Sequence, residues 1–514
     1  MYKDTLKQME FENFKLPFGG KLKSKNRWVK LAKMIPWDEV EKIYVSSLAG
    51  TGMGSPAKSA RVALAALVIK EHYGKSDVET VAEIQENPYL QYFLGFQAYS
   101  DQKPFDPSML THFRTRFGLT GTQSLNDIIG DKIKTDFKKY EKSKEKSDET
   151  EDKHNDDNPP KNSGKLLLDA TCAPADITFP TDLKLLNVAR RKSETIIDDL
   201  HAPLKGVEKK PRTYRKKARR DFLLAAKAKR LSGMKRRKAL RKQLGYLGRN
   251  LKRIEGLSQK IPLLCLTKKQ YKNLLVIHEV YRQQKIMYEG HLRRIDDRIV
   301  SISQPHIRPI KRGKAGRPTE FGAKISVSLV DGVAFVDHLS WDNFNEGGDL
   351  PAQAEAYRRR FGNWPKSIHA DKLYRNRDNL KFCKKYGIRL SGPPLGRPPK
   401  VTAENAMLIQ HQKEIASKDE VDRIPIEGKF GQGKRRFGLG LIMSKGPDTS
   451  ACSIVMSFLV MNLIKWLKAI FYTLLFWLSG KKEPIIKVCS GPEGRFGSFI
   501  MGWKVRACQT VPAG

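Results

Sequence analysis

Cysteine is scarce and unpaired in this sequence: Cys172, Cys265, Cys383, Cys452, Cys489 and Cys508 are spread through 514 residues with no CxxC among them. That spacing suggests neither a zinc site nor a disulfide framework, and it fits a reducing cytoplasm. Acidic residues are short as well, 55 against 96 Lys and Arg, which leaves a formal net charge of +41. A deficit of this size points to a polyanionic partner, nucleic acid first and an anionic membrane surface second. The opening MYKDTLKQMEFENFK lacks an apolar core, so no secretory signal peptide is expected. An uninterrupted membrane-spanning run is also missing. The most apolar segment, CSIVMSFLVMNLIKWLKAIFYTLLFWLS at 452–479, is broken by Asn462, Lys465 and Lys468. Its pieces are too short for about 30 Å of hydrocarbon, so it is expected to be a buried helix, with no membrane partner.

With 39% hydrophobic residues the chain has enough apolar mass for real cores, and its length suggests two or three domains. The first 118 residues read as short helices joined by tight turns. ARVALAALVIKEHYG has helical periodicity, Ser76-x-x-Glu79 is a capping box, and Asp106-Pro107 is a helix start. An all-α domain over 1–137, serving DNA binding or assembly, is the expectation. Residues 138–163, KKYEKSKEKSDETEDKHNDDNPPKNS, have almost nothing to bury and read as a disordered polar linker.

Between 209 and 253 stand twenty Lys or Arg and one acid, Asp221. Leu240, Leu244, Leu247, Leu251 and Ile254 form one apolar stripe, and Leu274, Tyr281, Tyr288, Ile295 and Ile302 recur every seven residues after it. The pattern predicts two long helices folded back on each other with a basic outer face. One acid among twenty bases favours phosphate contact, by Lys235, Arg236, Arg237 and Lys238 among others, over a merely solvated face.

The remaining texture is mixed α/β. LLLDAT is a strand, expected to deliver Asp169 at its end; KISVSLV-DG-VAFVDHLSW is a hairpin turning at Asp331-Gly332. Asp349 is expected to cap a helix through LPAQAEAYRRRFG, KSIHAD is a strand ending in Asp371, NRDNLKFCKKYG a helix and IRLSGPP a further strand. If the strands of Asp169 and Asp371 lie parallel and adjacent, both carboxylates reach one crevice. Asp176 and Asp182 are alternatives for the first. A third carboxylate that would complete a site for hard divalent cations is Glu427 in DRIPIEGKFGQGKRRFGLG. If that segment is helical, Arg423, Glu427 and Lys434 fall within about 40° of one another on one face. Its glycines, 428, 431 and 433, are read as places of close backbone approach.

Through ENPYLQYFLGF, FDPSMLTHFRTRFG, LLLDATCAPADITFPTDLKLLNVARR, GRPTEFGAKISVSLVDG, HADKLYRNRDN and RIPIEGKFGQGKRRFGLG, the chain resembles the DDE transposases of bacterial insertion sequences, over about 20–480. Many of these enzymes carry a Tyr-x2-Arg-x3-Glu-x6-Lys signature; Arg423, Glu427 and Lys434 fit its spacing, with Glu420 at the tyrosine position. The resemblance implies an α/β RNase H-like catalytic domain with a mixed sheet at 164–480, interrupted by a helical-hairpin insertion at 200–312, preceded by the all-α domain and followed by a tail at 481–514. It further implies that Asp169, Asp371 and Glu427 bind two Mg²⁺, with Mn²⁺ as substitute. Arg423, Lys434 and Arg435 would hold double-stranded DNA, both the element's terminal repeats and the target. The expected function is metal-dependent cleavage and strand transfer by a cytoplasmic homo-oligomer on DNA. The alternatives are an RNase H-like nuclease without strand transfer and a basic DNA-binding protein whose catalysis is lost. His291-x-x-Arg294 matches an element of tyrosine recombinases, but no tyrosine follows it between 295 and 356.

Overall fold

The computed structural model describes residues 13–16, 20–48, 56–145, 162–311, 319–393, 395–396, 402 and 405–479, with backbone alone at 138–145 and 471–479. The expected tail at 481–514 and most of the expected linker, 146–161, lie outside the described residues.

Six helices come first: α1 (Arg27–Met34), α2 (Trp37–Ser46), α3 (Ala60–Tyr73), α4 (Asp77–Glu86), α5 (Pro88–Leu94) and α6 (Met109–Glu145). Their ends follow from local chemistry. Ser76 and Glu79 form the expected capping box on α4, and α3 stops at Gly74 in the left-handed region. Asp106 accepts the Ser108 N–H at the start of the turn leading into α6. The sequence ends that helix at Gly118; the structure bends there, at φ 56°, and resumes helix to Glu145.

β1 (Lys165–Pro174) is followed by α7 (Asp182–His201), α8 (Arg215–Ala226), α9 (Gly233–Ser258) and α10 (Lys268–Glu289). Then come β2 (Arg308–Lys311), β3 (Thr319–Val330), β4 (Val333–Ser340), α11 (Leu350–Phe361), β5 (Ser367–His369), α12 (Arg377–Lys385), β6 (Arg389–Leu390), α13 (Ala406–Arg436) and α14 (Pro447–Ser479). The six strands form one mixed sheet in the order β2-β3-β1-β5-β6, with β4 also paired to β3. β1 runs antiparallel to β3 and parallel to β5, which is itself parallel to β6. The β3–β4 hairpin turns at Asp331 and Gly332, both at positive φ (48° and 74°), as an Asp-Gly two-residue turn requires.

The two-helix hairpin expected over 209–302 is a four-helix unit instead. The stripe on α9 packs chiefly on α7, with α8 and α10 alongside, and Leu247, Leu251 and Ile254 share a core with Leu186, Ile197 and Leu200. A periodic stripe identifies a buried face without naming its partner. Ile295 and Ile302 fall beyond α10, because the chain leaves the helix at Gly290 and turns at His291, φ 52°.

The apolar segment at 452–479 lies within α14, where Cys452, Val455, Phe458, Leu459 and Leu463 are buried in one core with α3, α6 and the sheet face of Ile325, Val327 and Leu329. By length and composition Pro447–Ile470 would suffice to cross a membrane, yet 83% of its apolar window is buried inside the protein. Its one buried amide explains the interruption at 462. Asn462 Oδ1 accepts the Ala334 N–H (3.0 Å), and its Nδ2 donates to the Ala334 carbonyl (2.8 Å) and to Asn126 Oδ1 (2.9 Å). Asn126 donates to the same carbonyl, and Gln123 on α6 donates to the Val336 carbonyl. The free edge of β4 is thereby closed by side chains rather than by another strand. Asn462→Leu keeps the volume but strands these groups, and a loss of about 2–4 kcal/mol is expected. A urea midpoint unmoved from wild type would show that the clamp contributes nothing.

Candidate active site

β1 lies between two cores. Leu166 and Leu168 face α11 and α12, while Leu167 and Ala173 face the core shared with α14. By the alternation of a strand Asp169 shares the face of Leu167. Contrary to expectation it does not end its strand: β1 continues to Pro174 because β3 pairs with it along that whole length, Asp169 opposite Val327. What ends near Asp169 is the other neighbour. β5 pairs with β1 only through Leu167 and His369. Continuing that register by two residues sets Asp371 level with Asp169 on the adjacent chain.

Asp371 is exposed and starts a short turn, accepting the Lys372 N–H at 2.7 Å. α13 crosses β1 and β5 on the face of Asp169 and His369. It is helical through its glycines, as expected; at Gly433 a side chain would press on Leu439 and Met461. Glu427, more than half exposed, pairs with Arg423 one turn before it at 3.0 Å. Lys434 is half-buried and Arg435 exposed, both in the helix's last turn.

Electrostatics tie these elements together. Burial pushes the Asp169 carboxyl up to about 6; the Ala170 N–H and Arg423 draw it down, whereas Glu346 and Glu427 push it higher. Asp169 therefore sits among carboxylates from two other elements, one of them unforeseen. Glu346, in the turn between β4 and α11, pairs with Lys324 of β3 at 3.1 Å. Beside it the wholly buried Tyr374 has its hydroxyl pushed far above the phenol range, by burial first and then by Glu346, Asp169 and Asp349. Asp349 does not cap α11 with its side chain as expected; the carboxylate turns to the sheet, taking the Ser326 hydroxyl and lying 3.1 Å from His338 Nδ1. The buried Ser326 hydroxyl needs an acceptor more than a solvated helix end does.

Among the described residues one set of three potential metal ligands has atoms all within 4.8 Å, and it is not the expected one: His369, Asp419 and Asp422. Counter-charges already serve its acids. Arg389 grips Asp419 with two hydrogen bonds (2.7 and 2.8 Å), holding its carboxyl below the usual range against the opposing effect of burial, and Lys165 pairs with Asp422 at 2.7 Å. This is an ion network, buried at His369 and Asp419 and half-exposed at Arg389 and Lys165, that fastens α13 to the sheet. KSIHAD held its histidine in plain view; nothing in the sequence paired it with Asp419.

The alternatives for the first carboxylate have other work. Asp182 accepts Gln284 (2.9 Å) and Arg298 within the helical unit, and Asp176 is exposed. On α9, Lys235, Arg236 and Lys238 are exposed, whereas Arg237 stacks on Tyr288 (4.2 Å) and meets His291.

The raised carboxyl at 169 makes a stability claim. It titrates near 6 when folded and near 3.8 as a free side chain. The cost of ionising it in the fold is complete above pH 6, shrinks as pH falls through 6, and is gone below about 3.8. Without divalent metal, Asp169→Asn should stabilise the chain by about 2 kcal/mol at pH 7.5, and by progressively less toward pH 4. Thermal melts across that range check it; a variant less stable than wild type at pH 7.5 would contradict the charge argument.

Comparison with known proteins adds two family matches. Residues 368–464 match the family described as Transposase DDE domain, and residues 17–116 match Transposase domain (DUF772). The first span contains Asp371 and Glu427 but not Asp169. An uncharacterized protein, ORF8 in the nfe locus of Rhizobium meliloti, is 33% identical over 97 residues, 19% of this chain and 46% of that protein. The chain thus spans under half the length of that relative, and no solved structure matches it. The chain is thus similar to transposases in two separate stretches, to a transposase domain over 17–116 and to a transposase DDE domain over 368–464.

Proposed function

We propose that the chain cleaves DNA at the ends of an insertion sequence and joins them to a target, with Asp169, Asp371 and Glu427 as the catalytic carboxylates. The observation that supports this reading is the parallel pairing of β1 with β5, from whose end Asp371 follows by two residues, with Glu427 of α13 acting on Asp169. The sheet supports an RNase H-like assignment: three antiparallel strands (β4, β3, β1) continue into two parallel ones (β5, β6). Helices α8 to α10, between β1 and β2 in the chain, support reading 200–312 as an insertion. The transposase-domain match at 17–116 supports reading the helical part, 1–137, as serving DNA binding or assembly.

The donor set suits a hard divalent cation. All three proposed ligands are carboxylates, and Asp169 is held among other acids whose repulsion a cation would offset. Bound there, Mg²⁺ would supply Lewis acidity toward the attacking hydroxyl or water and the leaving oxygen of a phosphodiester. The chain's own contribution is placement. Asp169 is fixed by a strand paired on both sides, and Asp371 by the turn it starts with its own carboxylate on the Lys372 N–H. Arg423 sits against Glu427, and with Lys434 and Arg435 gives this end of α13 the positive charge to hold a DNA phosphate.

Purified protein incubated with terminal-repeat DNA and Mg²⁺ should cut and join it. Asp169→Ala, Asp371→Ala and Glu427→Ala should each lower both activities by at least about a thousandfold while leaving DNA binding within a few-fold. Asp371→Cys should be inactive with Mg²⁺ and partly restored by Mn²⁺, since thiolate suits the softer ion better. Cutting without joining would reassign the chain to the nucleases. Wild-type cutting by Asp169→Ala would remove that residue from the site.

A further inference from the structure

The basic helical unit contains one place where guanidinium groups converge instead of spreading. Tyr214 stands at the start of α8 in the left-handed region, φ 54° and ψ 23°, a conformation rare for a bulky side chain. The residue is 37% exposed, and three guanidinium carbons lie close to its ring centre: Arg212 at 4.8 Å, Arg249 at 5.4 Å and Arg253 at 5.8 Å. Arg249 also lies 4.9 Å from the Tyr246 ring. Among the described residues none of the three pairs with a carboxylate, and Arg253 Nη1 is covered without an acceptor.

Nearby acids are engaged elsewhere. Asp198 takes Lys210 and both terminal nitrogens of Arg215. Asp221 takes Lys242 and the Tyr246 hydroxyl. The arrangement is built as well as charged: α8 is seated on α9 by the fully buried Ala218, whose carbonyl accepts Gln243 Nε2 at 3.1 Å. Like charges gathered at one exposed ring repel, and the ring's π face offsets only part of that. An anion carrying several acceptor oxygens completes the balance, and planar guanidinium forks match phosphate.

We infer that Arg212, Arg249 and Arg253, held around Tyr214, form a clamp for the phosphodiester backbone of duplex DNA, separate from the carboxylate site. The clamp rests on the proposed DNA-dependent function, and it assigns backbone contact to a defined point of the helical unit. Arg249 and Arg253 stand one turn apart on α9, a spacing that suits consecutive phosphates better than a single free ion.

The test is fluorescence anisotropy of the full chain with a labelled random-sequence duplex over a range of salt. Arg249→Gln with Arg253→Gln should flatten the plot of log affinity against log salt by about 0.9 for each phosphate no longer neutralised, roughly 1.8 for the pair. Tyr214→Phe should match wild type, and Tyr214→Leu should lose part of the slope. Arg253→Lys keeps the charge without the fork, so it should weaken binding while largely preserving the slope. Neutralising the exposed Lys216 and Lys217 removes the same charge next door. If that change flattens the plot equally, or if the arginine pair leaves it unaltered with the melting temperature intact, the clamp is wrong. A wild-type chain that binds no duplex would instead overturn the DNA reading. The anion site would then be judged by inorganic phosphate: a melting temperature raised in wild type and not in the arginine pair supports it, and no rise refutes it.

Discussion

β1 is hydrogen-bonded on both edges and covered on both faces, so every side chain in its middle must satisfy one core or the other. A carboxylate is tolerable there only where one of those four boundaries opens. That opening is made by β5, which leaves β1 after His369, and α13 then crosses the exposed face with Glu427 and Arg423. The Asp169 carboxyl, raised by burial and then by its acidic neighbours, records how incomplete the relief is. A fold selected for stability alone has no reason to keep such a group, whereas a site awaiting positive charge does.

The same sheet needed its other margin closed, and the solution links the two ends of the chain. Asn462 of α14 and Asn126 of α6 share the Ala334 carbonyl, while Trp466 donates to Asp136 and Gln123 to the Val336 carbonyl. These bonds lie within an apolar core that runs from Trp28 and Leu67 through Phe458 to Val327. Buried amides of this kind specify register as well as adding energy, since a helix that slides by one residue leaves several groups unpaired. The amino-terminal helices are thereby keyed to the sheet that carries the carboxylates.

Much of this was legible in the sequence wherever local chemistry decides the outcome. The capping box at Ser76, the turn at Asp331-Gly332 and the helix through Glu427 depend on neighbours a few residues apart, and the structure has all three. Partner choice was not legible. The stripe on α9 identified a buried face, but the mate is α7, because heptad spacing is equally satisfied by any complementary helix. The length of β1 depends on its pairing with Gly322–Leu329 of β3, which lies beyond four intervening helices. Polar networks were the least readable. Asp349 serving Ser326 and His338, and Asp419 joined to Arg389 and His369, answer donors that only the assembled fold brings near.

The distribution of charge follows from the same separation of tasks. Beyond burial and the Ala170 N–H, the charged groups acting on Asp169 come from α13 and the turn before α11. Surface charges beyond about 10 Å are screened at ordinary salt, so a long basic run elsewhere does little for a buried carboxylate. It can do much for a polyanion, which brings many charges at once and releases counterions when it binds. A chain of net charge +41 can therefore hold acids around Asp169 and bases on a separate run of helices without one neutralising the other. On the proposed reading the outer bases gather the DNA, and what remains for the crevice is to place one phosphodiester against a few carboxylates fixed by strand and helix.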